Sequence, residues 1–395
     1  MTHCPSCFQV LPDGRYKWVC VSGECEKKPD PVASSFLGAQ VEISTEMSFD
    51  PPEGKDWQKP ANVECYKCHG PVTMVCVFCN FPLPQGWYES QAVCIAMAGA
   101  RNTGKSVSIG VMIHFLEPLL ITLGSSMSWG NKQSRGVYRE HYEKALFREM
   151  GILKSTPAVE TVGGYQREPL IVGLGQIGGQ RHYLCLRDVA GEDLERDVQG
   201  GRKLRFFVHA DLVIFLLDPL AVPAVAETLR GAIPGVVPPA DADMVNPLDV
   251  LDTVLALIGE GEAYLAVVLS KFDTLQALGG IADHAICKMM ENPGAGIVRS
   301  AGDQATYEEQ DGALVHEEVR GLLQVLGAGA VVTSIENPLR GRPFIHRFMV
   351  TSSLGSAVDG SRQSVNGVAP FRVLDPLRWV MQDRGLIPAA AQGRA

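Results

Sequence analysis

Four pairs of cysteines stand in the first eighty residues: Cys4 and Cys7 in "CPSC", Cys20 and Cys25 in "CVSGEC", Cys65 and Cys68 in "CYKC", Cys76 and Cys79 in "CVFC". A CxxC loop aims two sulfurs at one point, and two such loops complete a tetrahedral thiolate site for Zn²⁺. Eight thiolates imply about two zinc ions per chain. Structural zinc contributes roughly 10–16 kcal/mol, enough to fold a segment with little core of its own. Four thiolates leave an ion no open coordination position, so this module is expected to recruit a partner rather than to catalyse. Order along the chain suggests Cys4, Cys7, Cys20 and Cys25 on one ion and Cys65, Cys68, Cys76 and Cys79 on the other. Interleaved pairing stays open, because the stretch between the halves has the length to loop back. His69 reads as a bystander, Cys94 and Cys185 as core thiols in apolar runs, and Cys287 has no visible partner in the sequence.

A second chemical signal is "GARNTGKS", residues 99–106. It fits GxxxxGK[ST] with Gly99, Gly104, Lys105 and Ser106, flanked within and after the loop by Thr103 and Val107. The apolar run "AVCIAMAGA" leads into it and a helical stretch follows. In a strand, glycine-rich turn and helix, backbone N–H groups curl round phosphates and the helix N-terminus adds a positive dipole end. Lys105 would then reach the β- and γ-phosphates, and Ser106 would ligate Mg²⁺. Arg101 leaves a tight loop toward solvent or a partner.

Elements must hold these groups in place. "PLIVGLGQI" and "RHYLCLRDVAG" read as a hairpin turning at "GGQ". "ADLVIFLLDPL", "AYLAVVLSKFD" and "RPFIHRFMVTSSLG" read as buried strands, whereas "NPLDVLDTVLALIGEG", "GALVHEEVRGLLQVLG" and "DPLRWVMQDRGLI" have helical spacing. Residues 125–166 show no strong period. The alternation implies an α/β fold, a doubly wound and mostly parallel sheet with its ligand at the strand C-terminal ends. The expected organisation is a zinc-ribbon module with linker at 1–88, a P-loop domain with insertions at 89–388, and a tail at 389–395.

The 395 residues carry a net charge of −9, with a pI of about 5.5. That argues against a nucleic-acid phosphate track. "MTHCPSCFQV" lacks the layout of a signal peptide. "VSIGVMIHFLEPLLITLG" is broken by His114, Glu117 and Pro118, so a buried helix is expected rather than a membrane span. The chain is expected to be cytoplasmic.

GARNTGKS, DVAG, SKFD and TSSLG stand in a fixed order that resembles the guanine-nucleotide-binding domain of the translation-factor (TRAFAC) and small-GTPase class. The resemblance covers roughly residues 89 to 388. It implies that Asp188 holds Mg²⁺ with Ser106, that the Gly191 N–H meets the γ-phosphate, that Lys271 lies along the base, and that Asp273 accepts hydrogen bonds from guanine. Ser352 and Ser353 would lie nearest the base. The cysteine-rich head, "FLLDP" and "PFRVLDPLRWV" look like the bacterial double-GTPase group. That implies a GTP-hydrolysing switch in a conflict or signalling system, with a second GTPase or an effector protein acting in trans. Ser270 departs from the usual Asn or Thr, and Glu192 stands where many small GTPases place a catalytic Gln, so slow hydrolysis is implied. Thr156 and Thr161 are the candidates for the switch threonine. Asn102 completes a GxxNxGKS loop, a form found in GTPases that use K⁺; its other reading is a residue suited to an unusual backbone angle. Two rivals remain: an AAA or signal-transduction ATPase with Asp218 as its Mg²⁺ acid, although Pro219 follows it, and a nucleotide-bound scaffold without catalysis.

Overall fold

The computed structural model describes residues 2–37, 40–50, 59–60, 62–151, 153, 168–196, 202–228, 246–259, 261–276, 285–300, 305–338, 343–356 and 367–388. Thr156, Thr161, the side chain of Glu192 and the tail at 389–395 lie outside the described residues.

The N-terminal region is built of short strands. β1 (Tyr16–Cys20) is the centre of a three-stranded antiparallel sheet, flanked by β4 (Glu46–Phe49) and β5 (Val72–Val75). β2 (Lys28–Pro29) pairs with β3 (Glu42–Ile43) around the helix α1 (Pro31–Leu37).

The rest is organised on one seven-stranded sheet. Its strands are β6 (Ser90–Ala98), β7 (Ser128–Trp129), β8 (Leu170–Ile177), β9 (Gln180–Asp188), β10 (Leu212–Leu217), β11 (Tyr264–Leu269) and β12 (His346–Val350). They lie in the order β12-β11-β10-β6-β9-β8-β7. The first five run parallel, and β8 and β7 add an antiparallel edge. The expected α/β class is met by this mixed sheet, and the β8–β9 hairpin turns where the glycines predict.

The helices are α2 (Lys105–Thr122), α3 (Lys132–Tyr138), α4 (Gly191–Arg196), α5 (Pro223–Thr228), α6 (Pro247–Ile258), α7 (Asp273–Gln276), α8 (Ala285–Met290), α9 (Glu309–Val325), α10 (Gly329–Glu336) and α11 (Asp375–Asp383). α3, which continues as a wider turn to Arg148, falls in the stretch that showed no period. Its start carries one local signal, the Asn131 side chain accepting the Ser134 N–H at 2.7 Å.

Alternate residues of the strands feed two cores, as a sheet covered on both faces requires. Val93, Ile95 and Met97 of β6 meet Ile109, Met112 and Leu116 of α2 and Leu377 and Val380 of α11. Cys94, Ala96 and Ala98 face the other way, where α6, α9 and α10 pack. That second core also contains Cys4, Cys7, Phe8, Leu11, Cys76, Cys79 and Trp87. The cysteine-rich region therefore covers part of the sheet as a helix otherwise would. Trp87 fastens it there, stacked on Tyr183 with centroids 4.7 Å apart and its indole N–H donating to the His3 carbonyl at 2.8 Å.

Helix α2 is long and apolar enough, by length and composition, to cross a membrane, but more than half of it is buried inside the protein. Tyr138 closes over it and donates its hydroxyl to the Gly110 carbonyl at 3.1 Å. This burial accounts for its apolar sequence.

At the far end, Arg372 takes a left-handed backbone (φ 52°) and is buried. Its guanidinium donates to Asp311 at 2.8 Å, to Asp375 at 2.7 Å and to the carbonyl of Gly296 at 2.9 Å. One side chain thus joins the segment before α9 to the start of α11.

The edge strand β12 is capped by a histidine. The Phe348 N–H donates to His316 Nδ1 of α9 at 3.1 Å, which requires an unprotonated Nδ1. Burial lowers the His316 pKa from its usual value, helped by His346 and Arg347 of β12 and opposed by Glu317 of α9 and Glu336 of α10. A base with a lowered folded pKa takes up protons more readily when unfolded, so stability is present above the unfolded pKa and falls as pH drops through that region. The melting temperature should fall between about pH 7.5 and about pH 5.5, and His316→Gln should flatten that slope. Comparing the two proteins cancels the contribution of the thiolate sites; equal slopes would remove His316 as a contributor.

Candidate functional site

Three of the cysteine pairs fold as one repeated knuckle. Phe8, His69 and Asn80 each follow the second cysteine and take φ of 61°, 55° and 58°. Their N–H groups return to the carbonyls of Cys4, Cys65 and Cys76 at 3.0, 2.8 and 2.9 Å. Backbone N–H groups also point at sulfur, from Ser6 to Cys4, Gly70 to Cys68 and Phe78 to Cys76, each at 3.4 Å. Such donors favour the thiolate, the form that binds a metal.

The knuckles meet in an order that corrects pairing by sequence neighbours. Cys4, Cys7, Cys76 and Cys79 form one tetrad, site A, and Cys20, Cys25, Cys65 and Cys68 form the other, site B. The Sγ–Sγ separations are 3.7 Å for Cys4–Cys79 and Cys7–Cys76, and 3.6 Å for Cys20–Cys68 and Cys25–Cys65. A regular tetrahedron with Zn–S bonds of about 2.3 Å has edges of about 3.8 Å, so both tetrads could hold zinc. The thiols already differ in acidity. Hydrogen bonds from Cys4 and its neighbours hold Cys79 well below the usual thiol value, while burial pushes Cys4 and Cys76 well above it. In site B, backbone N–H groups led by that of Cys68 bring Cys65 down to about 6.

Site A is buried against the sheet, whereas Cys25 and Cys68 of site B are partly exposed. Tyr66 is 64% exposed at the tip of a site B knuckle, with Val21 exposed nearby in sequence from Cys20, and Phe78 is exposed in a site A knuckle. Sequence reasoning missed Arg187, the last basic residue of β9, which is buried beside site A. Burial brings its guanidinium down to about 10, and the thiols of Cys79, Cys7 and Cys4 pull it back up.

A third cluster joins His3, Cys94 and Asp211. The Asp211 carboxylate accepts the Cys94 N–H at 2.7 Å and pairs with Arg384 at 2.7 Å, while His3 lies 3.7 Å away. These contacts make Asp211 a clasp between the start of the chain, β6 and the end of α11.

The strand-end motifs also converge. The loop at 99–106 leaves β6 and enters α2. Gly99 has φ 139°, and a Cβ there would lie 2.4 Å from the Leu216 carbonyl oxygen. Asn102 has φ 61°, the backbone angle on which its turn reading rests. A Cβ on Gly191 would lie 2.6 Å from the Arg101 nitrogen, so DVAG packs directly against the loop. Lys105 donates to the carbonyls of Gly99 and Ala100 at 2.7 and 2.8 Å, and Thr103 to Ala100 at 3.0 Å. Ser106 donates to Asp188 Oδ2 at 2.9 Å, while Asp188 Oδ1 is buried with no hydrogen-bond partner among the described residues. Burial raises the Asp188 pKa, opposed by Lys105 and Ser106. Val107 lies in the first turn of α2.

The groups beyond the loop are engaged with one another. Lys271 pairs with Asp218 at 2.8 Å, the Ser352 hydroxyl donates to Asp273 at 2.5 Å, and Ser353 meets Ser108 at 2.8 Å. The Ser270 hydroxyl is buried with no partner among the described residues.

No family model matches the chain. A curated protein of Mycolicibacterium smegmatis, named "Putative ESX-1 scaffolding and assembly protein SaeC", is 38% identical over 390 residues, which is 98% of this chain and 100% of that protein. The chain belongs to the SaeC family. This overturns the expectation of a GTP-hydrolysing switch in the double-GTPase group, and with it the assignment as an enzyme. A relative matched over 98% of this chain is named for scaffolding and assembly and not for hydrolysis. The physical reason is that a strand, glycine turn and helix describe local geometry, while the use made of it is set by the whole site. Here Lys271 and Asp273 brace neighbouring strand ends.

Proposed function

We propose that this protein is a cytoplasmic scaffold for ESX-1 assembly, contacting partner proteins through its metal-held N-terminal module. The observation that carries this reading is 38% identity along the full length of a relative named for that role. Two features support it. Tetrathiolate sites have no open position for catalysis but hold loops rigidly. Tyr66, Phe78 and Val21 also present exposed apolar side chains on or beside those loops, and rigid aromatic groups are favoured at protein interfaces. The test is replacement of the M. smegmatis relative by this chain. ESX-1 complexes, sized on native gels, should fail to form without the relative and return with this chain. Normal assembly without the relative, or no restoration by this chain, would refute the reading.

Within the scaffold, the loop at 99–106 would hold the phosphates of a ligand that braces the fold without being turned over. Lys105 and the loop N–H groups would face the phosphates, and Ser106 and Asp188 would share a divalent cation with them. Asp188 Oδ1, buried with no hydrogen-bond partner among the described residues, favours this. Lys271, Asp273, Ser352 and Ser353 would border the ligand's other end. Pyrophosphate, MgATP and MgGTP should each be tried for a rise in melting temperature that Lys105→Ala abolishes. No rise with any of them would remove the ligand and leave the scaffold reading to its own test.

A further inference from the structure

Sites A and B are alike in ligands and unlike in surroundings. Four thiolates and one divalent ion carry a net charge of about −2. Site A places that charge inside the protein, with Cys4, Cys7 and Cys76 fully buried and Cys79 3% exposed. A buried charge is costly unless an opposite charge and hydrogen bonds answer it.

Arg187 stands where that answer is needed. Its NH1 donates at 2.7 Å to the carbonyl of Ser6, which lies between the ligands Cys4 and Cys7. The guanidinium sits 4.1 Å from the Phe206 ring centroid and 5.8 Å from that of Phe36. Phe206 in turn meets Phe8, the left-handed residue after Cys7, edge to face at 5.3 Å. Aromatic rings thus wall the cation in beside the metal ligands, in a compartment where its charge is little screened. At site B, Cys25 and Cys68 reach the surface and water can solvate the ion's charge.

We infer that Arg187 is the built-in counter-charge of site A, so that the ion at A is a fixed pin between the cysteine-rich region and the sheet, while the ion at B is the exchangeable one. A group outside the ligand set that orients or neutralises it is commonly worth about 10–100-fold in metal affinity. Arg187 is a positioning residue in this sense, acting on the ion through its ligands.

The test is zinc release from the full-length, zinc-loaded protein into excess 4-(2-pyridylazo)resorcinol, followed by absorbance. The wild type should release two equivalents in two phases of one each, and Cys65→Ser should lack the fast phase. Arg187→Met should accelerate the slow phase about 10–100-fold and leave the fast phase alone. Arg187→Lys keeps the charge and loses the planar fork, so its slow phase should fall between the two. A slow phase unchanged in Arg187→Met, or a single phase in the wild type, overturns the inference. So does equal acceleration by Met and Lys, because packing and not charge would then be the cause. If Arg187→Met does not accumulate as folded protein, Arg187→Gln takes its place: a slow phase faster than in Arg187→Lys supports the assignment, and one no faster than in Arg187→Lys ends it.

Discussion

Cys76→Ser should leave the chain without a folded core, whereas Cys65→Ser should leave it folded and short of one zinc ion. Each substitution removes one of four ligands, so the local chemistry is the same. The difference lies in what rests on each tetrad. Site A shares its core with Phe8, Leu11, Trp87 and the Cys94 face of β6, and its loss uncovers that face of the sheet. Structural zinc contributes roughly 10–16 kcal/mol, which matches or exceeds the net stability of about 5–15 kcal/mol typical of a domain. None of the site B ligands belongs to either core cluster. Metal content by mass spectrometry, with near-ultraviolet circular dichroism reporting on Trp87 and Trp379, separates the outcomes. A Cys76→Ser protein that keeps its near-ultraviolet signal and melts cooperatively would show that the sheet does not need site A.

Arg372→Met should cost about 3–5 kcal/mol, toward the lower figure. The substitution keeps most of the side-chain bulk and leaves Asp311 and Asp375 without their shared partner. Each retains one cation: Arg299 lies 2.7 Å from Asp311, and Arg378 lies 3.3 Å from Asp375. The main-chain carbonyl of Gly296 loses its guanidinium donor. In urea the midpoint should drop with little change of slope. Adding Asp311→Asn should cost less than the sum of the two single changes, because both remove one interaction. A loss below about 1 kcal/mol would mean that the carboxylates reach water once the guanidinium is gone.

The sheet was legible because its strands are unbroken apolar runs such as "LVIFLL" and "YLAVVL", the pattern imposed by cover on both faces. The eight cysteines that form the two tetrads were legible from spacing alone. Their pairing was not, since neighbour and interleaved pairing satisfy the same CxxC geometry and only the path of β1, β4 and β5 decides between them. Arg187 and Arg372 look like ordinary charged residues at element ends, and their burial is a property of the tertiary fold. The GARNTGKS, DVAG, SKFD and TSSLG segments do gather at the strand ends. What did not hold is the expectation of hydrolysis, which the relative's name overturns; a phosphate-loop pattern encodes a backbone path and not the use made of it.

The cysteine pairs are nested: the outer set, from residues 4 to 79, encloses the inner set, from 20 to 68. A chain emerging from the ribosome therefore completes the inner ligand set first and the outer one eleven residues later, about 0.5–2 s at about 5–20 residues per second. β9 and its arginine follow 108 residues after Cys79, about 5–20 s on the same scale. In that interval the outer tetrad has neither its cation nor its sheet, and its thiolates face water. A metal ion can therefore reach the outer tetrad before β9 docks, and docking of β9 would then slow its exchange by burying the site against the sheet.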